Sequence, residues 1–174
     1  MMKKLILVKI ILYILFLIMF CSSIYIEMNY KASYSLFSMI LSFPMLAIIT
    51  NLIHECGHMF FAIIFSCRIS WIKMGIFKFN FKPFNISLED NGLLSGKCSL
   101  IIKDRMPLWK KQFVLMSGVY SNIIFLVFNL LIHLYLKDAI TICAVLCCVL
   151  NILANGLYNK SPDRILLNNL KNKI

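Results

Sequence analysis

Residues 35–65 read SLFSMILSFPMLAIITNLIHECGHMFFAIIF, an apolar run interrupted by small or uncharged polar residues until His54, Glu55 and His58 enter its second half. Crossing hydrocarbon takes ~20 predominantly apolar residues at about 1.5 Å of helical rise each, because backbone groups must be bonded within the helix where water is absent. This run exceeds that length, so it can tilt, kink at Pro44 or protrude. Working outward, three further runs qualify: 5–26, 113–136 and 139–157. With 61% hydrophobic and 14% charged residues, the chain is too apolar for an ordinary soluble domain. Six Gly, four Pro and no internal repeat leave no long flexible linker. The expectation is an all-α membrane protein: one integral membrane domain over 1–174, four transmembrane helices, and a small β-hairpin within 66–112.

A net charge of +11 would suggest nucleic acid in a soluble protein, but in a membrane protein Lys and Arg first report which loops face the cytoplasm. Between the second and third runs lie Arg68, Lys73, Lys78, Lys82, Lys97, Lys103, Arg105, Lys110 and Lys111, against Glu89, Asp90 and Asp104. That segment is assigned to the cytoplasm. Lys3 and Lys4 before the first run, and Lys160, Arg164, Lys171 and Lys173 after the fourth, place both termini on the same side. Nucleic acid is excluded as a partner; the bilayer is expected. The run after Met2-Lys3-Lys4 is long and lacks a small-x-small cleavage site before Glu27, so it reads as a retained anchor in a multi-pass protein of the cell membrane. Abundant Lys, Asn and Ile point to a low-GC bacterium. The seven cysteines (Cys21, Cys56, Cys67, Cys98, Cys143, Cys147 and Cys148) are odd in number, contain no CxxC pair and lie mostly in apolar runs. They read as small buried hydrophobes rather than a disulfide framework.

Within the basic segment, Phe77-Lys78-Phe79-Asn80-Phe81-Lys82 alternates with period two, the pattern of a half-buried strand, and Pro83 ends it. Cys98 to Lys103 is its expected partner, with the turn at Asn91-Gly92 or Ser95-Gly96. A basic hairpin with phenylalanines on one face suits a bilayer surface, or simply covers the helix bundle.

His54-Glu55-Cys56-Gly57-His58 is an HExxH sequence. On a helix its two histidines project from one face a turn apart, so two imidazoles can bind one zinc, with Glu55 beside them as a base. With three His and three Glu in the chain, chance yields such a pattern roughly once in a thousand sequences. The competing structural reading is a buried polar cluster that only holds helices together; ionisable groups in a membrane helix are costly and mark function by default. A catalytic zinc needs a third protein ligand. Asp163, just past the fourth run, falls on the same side as the histidine pair, whereas His133 lies near the opposite face and reads as a helix-packing or interfacial histidine.

Leu52 to His58 matches the apolar-HExGH pattern of site-2 protease type intramembrane zinc metallopeptidases, and the chain resembles that family. Gly118-Val119-Tyr120-Ser121-Asn122 resembles its Gly-x-x-x-Asn motif, and Asn155 and Asp163 have the spacing of its Asn-x-x-Pro-x-x-x-x-Asp-Gly. Tyr158 and Arg164 depart from the Pro and Gly of that last motif. The resemblance spans about residues 36–168 and implies a three-helix core, to which the first helix is an addition. It implies one Zn2+ held by His54, His58 and Asp163, and Glu55 as the catalytic base. Gly118, Asn122 and Asn155 would bind substrate or support the ligands, with ordinary helix packing or capping as the alternative. The activity it implies is hydrolysis of a transmembrane or membrane-associated peptide near the cytoplasmic face, in regulated intramembrane proteolysis or precursor processing. The alternative is a non-catalytic accessory or immunity protein that retains the metal site.

Overall fold

The structure, a computed structural model, describes residues 2–30, 35–81, 83–89, 92, 95–103 and 105–157. It is mostly helical. Helices α1 (Met2–Tyr30), α2 (Ser35–Ile64), α3 (Leu108–Leu136) and α4 (Ala139–Ile152) form the body, and α4 continues into one wide π turn, Leu153–Leu157. The first three, and α4 together with its π turn, provide segments long and apolar enough to cross a membrane, namely Ile6–Asn29, Leu36–Ile64, Leu108–Leu136 and Ala139–Gly156. The third helix starts five residues before the expected run. Pro107 is extended and its carbonyl accepts from the backbone N–H of Lys110 and Lys111, so the helix nucleates there and its basic first turn rests on aromatic rings. Lys110 Nζ lies 5.7 Å from the Phe65 ring centre and 5.3 Å from that of Trp109.

Helix α2 is central and packs on α1, α3 and α4. It remains helical through Pro44. Its contact with α4 uses small side chains: Leu46 clusters with Cys143, Ala144 and Cys147, and Ser42 and Thr50 turn their hydroxyls back onto their own helix at Met39 O and Leu46 O. Small residues let backbones approach closely, which is how apolar helices gain packing without a hydrophobic driving force between them. Cys143, Cys147 and Cys148 are buried free thiols in this seam.

Between α2 and α3 stands an antiparallel sheet of four strands, β1 (Arg68–Met74), β2 (Phe77–Phe81), β3 (Phe84–Leu88) and β4 (Gly96–Ile101), in the order β3-β2-β1-β4. The expected hairpin partners are therefore not neighbours. Strand β2 pairs with β1 and β3, while β4 pairs with β1. Gly75, at φ 56°, supplies the left-handed conformation that turns β1 into β2, and Pro83 sits in the turn from β2 to β3. The expected turn residue Asn91 lies outside the described residues. The register places Phe77, Phe79 and Phe81 opposite Leu88, Ile86 and Phe84 on one face. The other face carries Lys97, Lys73 and Lys78 in a cross-strand row, and Glu89 bridges the last two at 2.6 and 2.7 Å. Tyr13 of α1 meets Phe77 with ring centres 6.2 Å apart, so the first helix is tied to the sheet.

At the end of the bundle away from the sheet, α3 and α4 are joined through Lys137 and Asp138. Lys137 closes α3 in the left-handed conformation, and the Asp138 carboxylate accepts from Thr141 N at 2.7 Å as the N-cap of α4. Glu27 of α1 accepts from Ala139 N at 2.8 Å, and His133 Nδ1 lies 3.0 Å from Thr141 Oγ1.

Candidate metal centre

One face of α2 presents Asn51, His54 and His58, spaced three and four residues apart, so they stack along the helix rather than around it. Opposite them α3 brings Val114, Ser117, Gly118 and Asn122, and α4 brings Asn151. His54, Glu55, His58 and Asn122 are buried, at 3, 6, 4 and 0% exposure.

Each imidazole is oriented from behind. His58 Nδ1 lies 3.0 Å from the Val114 carbonyl, which also accepts from the Ser117 hydroxyl at 2.7 Å. A carbonyl can only accept, so His58 carries its proton on Nδ1 and offers a lone pair at Nε2. His54 Nδ1 faces the Asn122 carboxamide, 3.2 Å from its nitrogen. The two Nε2 atoms then converge to 3.2 Å, with the rings edge to face. In this structure that contact is a ring-to-ring hydrogen bond. Two nitrogens each about 2.0–2.1 Å from a tetrahedral zinc lie roughly 3.3 Å apart, so the same spacing would also suit two ligands of one ion.

The space in front of this pair exists because residue 118 is glycine. A Cβ there would stand 2.6 Å from both Nε2 atoms, within the volume a shared ion would need. Gly57 has a related role one residue before His58: a Cβ would run into the Ser121 hydroxyl and stand 2.7 Å from Ser117 O, so its absence lets α2 and α3 come close enough for the imidazoles to reach α3.

Glu55 points to the sheet side. A Cβ on Gly96, the first residue of β4, would stand 2.6 Å from Glu55 Oε1, so the edge strand lies directly against the carboxylate. A cavity of about 360 Å³ opens beside it, between α1, α2 and the β1–β2 turn. Tyr13, Leu17, Ile48, Met74 and Phe77 give it apolar walls, while Asn51 and Gly96 mark its boundary with the buried site.

The expected third ligand, Asp163, lies outside the described residues, as do Tyr158 and Arg164. Among the described residues no group of three or more His, Cys, Asp or Glu could hold a metal ion, so the described contribution is the two-histidine pair. Asn155, in the π turn, donates to Asn151 Oδ1 at 2.8 Å and thereby joins the same network. His133 is at the far end of the bundle, engaged with Thr141.

Sequence reasoning missed Asn51, Asn151, Ser117 and Gly96. A signal existed for the first two: Asn51 precedes His54 by three residues and Asn151 precedes Asn155 by four, so each extends a motif residue along its own helix face. Gly96 carried no comparable signal, because its contact with Glu55 depends on how the sheet docks. No family model, no curated protein and no solved structure matches this chain.

Proposed function

We propose that the chain is an intramembrane zinc endopeptidase of site-2 protease type, cutting a transmembrane or membrane-associated peptide near the cytoplasmic face. The observation that carries this reading is the convergence of His54 and His58 Nε2 at 3.2 Å in front of Gly118, with the Glu55 carboxylate one residue along the same helix. The basic residues of the sheet segment support a cytoplasmic orientation for that end.

Zinc bound by His54, His58 and Asp163 would supply Lewis acidity to the scissile carbonyl and to the attacking water. The rest falls to the chain. Val114 O holds His58 in the tautomer that frees Nε2, and Asn122 orients His54. Glu55 accepts a proton from the attacking water and delivers it to the leaving amine. Substrate must lose helical hydrogen bonds before attack, and β4 is an edge strand beside Glu55 whose outer backbone can pair with an extended segment. The neighbouring cavity has the volume and apolar walls to receive side chains of that segment.

The test is a comparison of membrane peptides from cells carrying the wild-type or the Glu55→Gln protein, with zinc content measured on both purified proteins. The expected result is loss of specific cleavage products by about 10²–10⁴-fold at unchanged zinc content. Products that persist at wild-type levels in a zinc-loaded Glu55→Gln protein would overturn the reading.

A further inference from the structure

The two histidines are keyed by different kinds of partner. His58 faces a backbone carbonyl, whose character is fixed. His54 faces a side-chain amide, whose nitrogen and oxygen can exchange places by a half-turn with no change of shape. With the Asn122 nitrogen towards His54, the ring accepts at Nδ1 and a neutral imidazole carries its proton on Nε2. With the oxygen towards it, the ring donates from Nδ1 and presents a lone pair at Nε2. Only the second arrangement suits a metal ligand.

Asn122 does not settle this alone. The same amide atom that faces His54 lies 2.6 Å from Asn151 Oδ1, so Asn151 must present an acceptor when that atom is nitrogen and a donor when it is oxygen. Asn151 in turn donates through Nδ2 to Asn51 Oδ1 and accepts from Asn155 Nδ2. Four carboxamides from α2, α3, α4 and the π turn thus form a ladder whose hydrogen-bond direction must reverse as a unit to change the tautomer of His54.

We infer that Asn51 and Asn151, which lie outside the HExxH and Asn–Asp motifs, are positioning residues for His54, acting in series through Asn122 on the affinity of the His54–His58 pair for its metal. The inference rests on the zinc reading above. In the structure the ladder runs in the first direction, with the Asn122 nitrogen towards both His54 and Asn151. In the reversed direction that a ligand needs, Asn151 donates to the Asn122 oxygen and holds it towards His54; without Asn151, no second amide anchors that oxygen.

The experiment is titration of the full-length protein in detergent micelles with Zn2+, and separately with Co2+ to record ligand-field bands, for wild type, Asn51→Leu, Asn151→Leu and the double variant. Leucine shares the branched outline of asparagine, though it is larger, and is at home in an apolar helix; Asn151→Thr, close to asparagine in volume, serves as a second variant should Asn151→Leu not fold. Thermal unfolding without metal is measured in parallel. Asn151→Leu is expected to weaken Zn2+ binding about 10–100-fold and shift the Co2+ bands, Asn51→Leu to weaken it less. The double variant is expected to match Asn151→Leu alone, because a series connection broken at Asn151 no longer transmits Asn51. Zn2+ affinity in Asn151→Leu equal to wild type, or an Asn51→Leu effect undiminished in the Asn151→Leu background, would overturn the inference while leaving the zinc reading intact. A wild-type protein that binds neither ion would overturn both.

Discussion

Among the described residues, a half-buried polar cluster at the end of the bundle away from the sheet and a buried one within it solve different problems. In the first, Asp138 and Glu27 accept from Thr141 N and Ala139 N, backbone donors of the first turn of α4 that have no partner inside the helix. In the second, His54, Asn122 and Asn151 sit within helical segments of α2, α3 and α4, where the backbone is already bonded to itself. Their side chains bond to one another and to Asn51. A polar group at a helix end removes an unsatisfied donor; a polar group in mid-helix adds atoms that must themselves be satisfied. The first cluster is what a stable bundle needs. The second has a cost in stability that apolar side chains would avoid, and this argues for a chemical role.

Gly118→Ala should separate the two clusters most strongly. The added methyl would stand 2.6 Å from Nε2 of both His54 and His58, so the ring nitrogens and the methyl cannot all keep their places. Zinc affinity is expected to fall by at least about 100-fold, beyond the usual effect of removing an outer partner, with a packing cost of about 1–3 kcal/mol. Equilibrium dialysis followed by metal analysis reads the first, thermal unfolding in micelles the second. If Gly118→Ala retains wild-type zinc affinity, the space before the imidazoles is not where the ion sits and the two clusters lose their functional distinction.

At the other end the expectation reverses. Asp138→Ala removes the cap on Thr141 N and should lower stability by about 1 kcal/mol, while zinc content and cleavage stay at wild-type levels. A loss of zinc in this variant, with the helices still folded, would mean that the capping cluster is coupled to the histidine pair.

What was legible in the sequence follows the same division between local and tertiary signals. The four helices could be read because apolar length is a local property, and their observed bounds follow the runs to within a few residues except at Leu108, where Pro107 sets an earlier start. The histidine pair could be read because helical spacing alone brings His54 and His58 to one face. The sheet was harder: Phe77–Phe81 alternates visibly, but Arg68–Met74 follows directly on the long apolar run, and strand pairing is a choice between distant segments that alternation does not make. The consequence is that β4 pairs with β1, and only this docking brings Gly96 against Glu55. Asn51 and Asn151 were visible as uncharged polar residues in apolar runs, yet their importance depends on a ladder that spans separate helices.

A third polar group, on the sheet, neither caps a helix nor touches the histidine pair, and its removal should have the weakest consequence. Cross-strand neighbours Lys73 and Lys78 would repel, and Glu89 bonds both. The hydrogen bonds from these two ammonium groups hold the Glu89 carboxyl well below its ordinary 4.5, at about 2. A carboxylate whose pKa is lower in the folded protein stabilises the fold fully above its unfolded value, and that contribution fades as pH drops from about 4.5 and is gone below about 2. Because the group is exposed to water, the effect should be confined to the sheet and weakened by salt. Hydrogen exchange at the β1–β2 amides between pH 5 and pH 2, corrected for intrinsic rates, should show wild type losing protection towards the Glu89→Gln level. A pH response of equal size in Glu89→Gln would place the acid sensitivity elsewhere. Unchanged zinc affinity in Glu89→Gln at neutral pH is the accompanying expectation, since the bridged lysines lie on the polar face of the sheet and the histidine pair lies between α2 and α3.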